Sequence, residues 1–217
     1  MKESIELIVL ASTKIQESSL VVHSLSEEWG RRSFLVRIGK FSPMSLFQPL
    51  NILSAEVTPN SKSELWRISG IRLEESLSGL RSNIHKNCIS LFMSEVLFRC
   101  LKEGSREEGL FEWCKRSILT LDRLDSDFAS FHLRFLVELC SVLGFRPSLE
   151  DIAPFAGECL KDFPALLNPQ QSVALLHPLN GGQRSSIAAI LLEYLSYHTD
   201  SPLNIRSLKV LRDLYSE

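Results

Sequence analysis

Five cysteines and five histidines are the residues of this chain best suited to nucleophilic or metal chemistry. Their spacing argues against both. No two of Cys88, Cys100, Cys114, Cys140 and Cys159 stand as C-x-x-C, the usual half of a structural zinc site. The first four fall within apolar stripes at helical spacing, where a reduced thiol acts as a small hydrophobe. An odd number of such thiols suits a reducing compartment. His23, His85, His132, His177 and His198 have no mutual spacing for a metal, and His132 reads as a structural residue on a helix. A cysteine nucleophile would need a histidine and an orienting acid beside it, and no local signature supplies them. There is no G-x-x-x-x-G-K-[ST] loop and no G-x-G-x-x-G. Gly181-Gly182-Gln183-Arg184-Ser185 lacks the lysine and the preceding strand of a phosphate loop, so it predicts a helix start.

The remaining chemistry is electrostatic. Arg31, Arg32, Arg37 and Lys40 fall in or just after a β-patterned run, with Lys14 in an earlier connection. On one strand, Arg31, Ser33, Leu35 and Arg37 share a face, and Arg32 shares the other parity with Phe34, Val36 and Ile38. Cations on an outer barrel face can track nucleic-acid phosphates; a solvated strand face is the competing reading. Phe34, Phe41, Phe47 and Trp66 could stack on bases, although most of them fit a core better. Among helix cations, Arg206, Lys209 and Arg212 are spaced three apart, and Arg99 and Arg134 sit on other helices. Net charge is −2, so no bulk attraction to phosphate exists. Residues 1–86 carry 11 basic and 9 acidic side chains, which makes the N-terminal region the better place for a local basic patch.

These residues must be held by two kinds of element. The first ~70 positions pattern as strands at Ile5–Ala11, Leu20–Leu25, Ser33–Ile38, Leu50–Val57 and Glu64–Leu73, punctuated by Pro43, Pro49 and Pro59. Five short strands in so small a span fit a partly open barrel such as the OB-fold. From about Ser76 the period becomes helical. Apolar stripes predict helices over 88–100, 110–121 and 128–143, the last stopped by Gly144 with Pro147 beyond. Residues 145–183 are broken by prolines and glycines and predict an irregular segment with one short helix near 156–163. Helices over Ser185–His198 and Ile205–Tyr215 close the chain. No apolar run approaches the ~20 residues that span a membrane. Glu3 and Glu6 stand where a signal peptide needs positive charge, so a cytoplasmic location is expected.

Several segments carry a more specific signal. They are Glu27–Gly30, Arg31–Ile38, Gln48-Pro49-Leu50, Ser94-Glu95-Val96-Leu97-Phe98-Arg99, Leu143-Gly144-Phe145-Arg146-Pro147 and the closing LLEYLSYHTDSPLNIRSLKVLRDLY. In order and spacing, over nearly the whole chain, they resemble the RecO family of DNA repair and recombination mediators in its Bacteroidetes-type form. The resemblance implies an α+β protein: an N-terminal five-stranded OB-fold barrel over 1–75, packed on a C-terminal all-α helical domain over 76–217. It implies no enzymatic turnover and no cofactor. It implies binding of single- and double-stranded DNA, annealing of complementary strands and, with RecR, assistance to RecA loading on strands coated by single-strand-binding protein. DNA contact is expected at Lys14, Arg31, Arg32, Arg37 and Lys40. The acidic, apolar C-terminal tail of single-strand-binding protein is expected at Arg206, Lys209 and Arg212, with Arg99 and Arg134 as further candidates.

Two departures from the family pattern stand out. Many members hold zinc with four cysteines after the Gly-Phe-x-Pro segment, whereas Ser148–Gln171 offers only Cys159 here, so no structural zinc is expected. The segment Gly39–Phe47 carries a single cation, Lys40, where members commonly have a longer basic loop. That shortness keeps open a second reading: a protein-interaction adaptor of the same pathway with weak intrinsic DNA binding. A hydrolase would need a nucleophile and a base in contact.

Overall fold

The computed structural model describes residues 3–40, 42–59, 63 and 65–215. Phe41, one of the stacking candidates, and Glu64, the first residue of the fifth expected strand, lie outside them. The chain divides into two compact units, one of residues 1–77 with 101–118 and the other of 78–100 with 119–217.

The first unit is built on five strands: β1 (Glu3–Gln16), β2 (Ser19–Ser26), β3 (Gly30–Arg37), β4 (Ile52–Thr58) and β5 (Trp66–Leu73). They close a barrel in the order β1-β2-β3-β5-β4, as expected for an OB-fold. Alternation explains the core. Ile5, Leu7, Val9, Leu20, Val22, Phe34, Val36, Leu53, Ala55 and Val57 occupy every second position of their strands and fill the interior with Phe47. β1 is also buried on its other parity at Ile8 and Leu10. Lys115 donates to Glu6 at 2.6 Å on that same face. All of these pairings are antiparallel except one. β3 and β5 run parallel and pair only at Phe34–Trp66 and Leu35–Arg67. Closure is therefore thin along this seam. Curvature comes in part from a register shift between β4 and β5, where Gly70 adopts φ +63°.

The five expected strands all form, with boundaries moved by a few residues. β1 runs five residues beyond Ala11 because it pairs with β2 as a long hairpin, and its last residues are exposed. A short 3-10 turn at Met44–Phe47 interrupts the connection to β4 and delivers Phe47 into the core.

The second unit is helical. After α1 (Ser78–Ser82) come α2 (Ile84–Cys100) and α3 (Leu110–Arg123), whose last turn belongs to this unit, and then α4 (Phe131–Val142). The stretch expected to be irregular is instead a chain of short helices: α5 (Leu149–Ala156), a 3-10 segment Gly157–Asp162, α6 (Phe163–Leu166) and α7 (Gln171–Leu176). The prolines mislead because Pro164 occupies the start of α6, where no N–H is needed, and Pro154 is accommodated inside α5. Ser148 and Asp151 form a capping box that launches α5. The chain closes with α8 (Gly181–Thr199) and α9 (Ser207–Leu214). Gly181 does begin a helix, with Asn180 and Gln183 forming its capping box. No described helix is long and apolar enough to cross a membrane.

Candidate nucleic-acid interface

β3 carries three of the five expected DNA contacts, and the barrel distributes them unevenly. Six residues of strand separate Arg31 from Arg37, about 20 Å. The two ends of β3 have different surroundings.

At the Arg37 end the β3–β5 seam opens into a concavity. Arg37 and Arg67 line it, with the hydroxyl residues Ser18, Ser19, Thr58 and Ser69. No carboxylate lines it among the described residues. Arg37 is set there by strand parity, since Phe34 and Val36 point inward. Arg67 is set there by the parallel register that places it beside Leu35. Lys14 is exposed on the long hairpin opposite Leu20, next to the Ser19 that pairs with Arg37. Lys40 is exposed in the turn after β3. Arg67 was missed by sequence reasoning. Only the β3–β5 pairing shows that it shares a surface with Arg37, although the alternation Arg67, Ser69 against Ile68 marks it as outward-facing.

At the Arg31 end the strand edge is covered. Arg31 donates its main-chain N–H to Ser105 O at 3.0 Å, and Gly104 N–H donates to Arg31 O at 2.8 Å. Glu103 lies over the same edge. Its carboxylate accepts from Ser33 N–H at 2.6 Å and from Ser33 Oγ at 3.1 Å, and pairs with the Arg31 guanidinium at 3.0 Å. Arg31 retains only 13 % side-chain exposure. Gly30, at φ +58°, makes this approach possible: a Cβ there would lie 1.8 Å from Ser105 O. His23 Nδ1 is 2.7 Å from Ser33 Oγ. Because Ser33 spends its proton on Glu103, the His23 Nδ1–H donates to the serine oxygen. Burial, reinforced by Arg31 and opposed by Glu103, holds the His23 pKa below its ordinary value.

Arg32 faces the Arg31 end, where it lines an open concavity with Ser33, Leu65, Glu103 and Gly104. Its guanidinium stacks 3.5 Å from the Trp66 ring centroid, and Trp66 packs edge-on against Trp29 at 5.3 Å. Phe34 and Phe47 are core residues at 0 % and 2 % exposure, so neither presents a ring to a base.

The helical cations also differ from one another. Arg206, Lys209 and Arg212 are exposed at and along α9. Glu95 anchors this helix by accepting from Arg206 N–H, Ser207 N–H and Ser207 Oγ, and it also accepts from Arg99 Nε at 3.1 Å. Burial opposes ionisation of Glu95, but these hydrogen bonds outweigh it and lower its pKa. Arg99 is thereby committed to a structural pair. Arg134 is 8 % exposed and donates to the carbonyls of Asn168 at 2.5 Å and Pro169 at 3.2 Å, and to Glu138 at 2.6 Å. It holds the run of short helices in place and offers nothing to a partner at the surface. No group of three potential metal ligands, at Cys159 or elsewhere, exists among the described residues.

Comparison with known proteins bears on this geometry. Residues 1–77 match the family model "Recombination protein O N terminal", and residues 81–154 match "Recombination protein O C terminal". The chain belongs to the RecO family. It is 29 % identical to the DNA repair protein RecO of Bacteroides fragilis, over 96 % of this chain and 97 % of that one. It is 28 % identical to that of Flavobacterium psychrophilum, with both chains covered completely. The latter alignment spans 239 positions, more than the 217 residues here, so the relative carries insertions that this RecO-family chain lacks. A role in DNA repair and recombination follows from the family.

Proposed function

We propose that this chain is a recombination mediator that grips DNA on the barrel and has no catalytic turnover. The observation that carries the reading is the Arg37–Arg67 concavity, a cationic, hydroxyl-lined groove on an OB-type barrel with no described carboxylate in its lining. Phosphates would sit against the two guanidinium groups, with exposed Lys40 three residues beyond Arg37; Lys14, opposite core Leu20, has the other parity. The hydroxyls would add hydrogen bonds to phosphate and sugar without reading sequence. Such a grip holds two strands without preference and so suits annealing of complementary strands. In the cell the same grip, with RecR, would assist RecA loading on strands coated by single-strand-binding protein.

The acidic tail of that protein is assigned to the exposed cations of α9, Arg206, Lys209 and Arg212. Val210, 49 % exposed between them, provides apolar surface for its hydrophobic residues. The adaptor reading has its own support: Glu103 engages Arg31, and the turn after β3 presents Lys40 alone among described cations. Annealing assays separate the two. Arg37→Ala with Arg67→Ala should slow annealing of complementary oligonucleotides at least tenfold if the groove is the grip. Unchanged annealing, together with loss of tail-peptide binding on charge reversal at Arg206 and Lys209, would establish the adaptor.

A further inference from the structure

At the covered end of β3, three donors converge on one carboxylate. Ser33 N–H, Ser33 Oγ–H and the Arg31 guanidinium all reach Glu103 within 3.1 Å. Main-chain N–H, hydroxyl and guanidinium together form the usual donor set for a phosphate oxygen. The set is supported from behind, since the His23 hydrogen bond aims the Ser33 hydroxyl. The occupant is removable. Half of the Glu103 side chain is exposed, and the loop that bears it is held independently by the two main-chain bonds of Gly104 and Ser105 to Arg31. An open concavity lined by Arg32, Ser33, Leu65, Glu103 and Gly104 lies directly beside the carboxylate, so a ligand has a path to the same donors.

We infer that Arg31 and Ser33 form a second phosphate subsite for nucleic acid, and that Glu103 occupies it as an internal phosphate mimic. The inference rests on the DNA-binding reading and adds a brake to it. A strand held at Arg37 and Arg67 can extend along β3 only when Glu103 swings out. The resting protein therefore grips a short stretch of DNA, and displacement of one side chain lengthens the grip.

The test uses the full chain and a fluorescent single-stranded oligonucleotide titrated across a salt series. Glu103→Ala should raise affinity about fivefold at low salt and steepen the slope of log affinity against log salt by about 0.7, the increment for one added phosphate contact on a single strand. Adding Arg31→Ala to Glu103→Ala should remove both gains. Thermal melting accompanies each variant. If Glu103→Ala does not fold, Glu103→Gln, which keeps an acceptor for the Ser33 N–H, is read in its place. Unchanged affinity and slope in the folded Glu103 variant would overturn the brake while leaving the Arg37–Arg67 groove standing. A gain that survives Arg31→Ala would overturn the subsite, since it would be a general effect of net charge. Failure of the wild type and the Glu103 variant alike to bind DNA would overturn both readings.

Discussion

Arg134 and Arg184 of the helical unit and Arg37 and Arg67 of the barrel serve opposite purposes. In the helical unit, Arg134 gives its guanidinium to the Asn168 and Pro169 carbonyls, and Arg184 gives its own to Leu179 O and the Tyr215 ring. Arg134 thereby ties down the short helices of residues 149–176, and Arg184 ties the residues before α8 to the end of the chain's last helix. In the barrel, every strand has a neighbour to pair with, and Arg37 and Arg67 remain turned toward an open groove. A cation becomes available for a ligand where the backbone does not need it. The composition of the two units does not reveal this; the hydrogen-bond partners do.

Substitutions at buried polar residues and helix caps of the helical unit should change stability without changing DNA binding. The largest effect is expected at Arg134. Arg134→Ala removes a buried donor from several carbonyls and should lower the free energy of unfolding by about 3 kcal/mol. Urea denaturation measures it, and a loss under about 0.5 kcal/mol would mean that the carbonyls find water instead. The next effect depends on pH. His132 is buried, and burial, with the nearby Arg184 charge, lowers its pKa to about 3. The unfolded chain takes up a proton at the ordinary value of 6.5, while the folded chain does not. Stability is therefore complete above that value and is lost as pH falls from there toward 3. The loss between pH 7 and pH 5 should be about 2 kcal/mol. Unfolding curves of wild type and His132→Phe should differ in this slope, and equal slopes would refute the assignment. The smallest effect is at the helix caps. Asn180→Ala should cost about 1 kcal/mol by freeing the first turn of α8. A melting temperature equal to that of wild type would show that water replaces the cap.

What could be read from the sequence divides along the same line. The barrel was legible because its strands alternate: Ile5, Leu7 and Val9 mark an inner face without knowledge of any partner. The stripes of α2, α3 and α4 were legible for the equivalent reason at helical period. Residues 149–176 were not, because the role of a proline depends on its position in a helix, and Pro164 at a first turn reads in sequence like any breaker. The candidate interface was half legible. Parity placed Arg37 on the outer face. It could not bring Arg67 alongside, since that proximity comes from a two-residue parallel pairing between strands about thirty positions apart. Nor could it place Glu103 on Arg31, a contact spanning seventy residues between a loop and a strand edge. Arg134 looked like a surface cation because its charge was visible and its carbonyl partners were not.

The most direct test of the central claim is the salt dependence of single-stranded DNA binding by the wild type and by Arg37→Ala with Arg67→Ala. Two lost phosphate contacts should flatten the slope of log affinity against log salt by about 1.4, with affinity reduced for every sequence alike and the melting temperature unchanged. An unchanged slope at unchanged affinity would contradict the account and make the groove an ordinary solvated face.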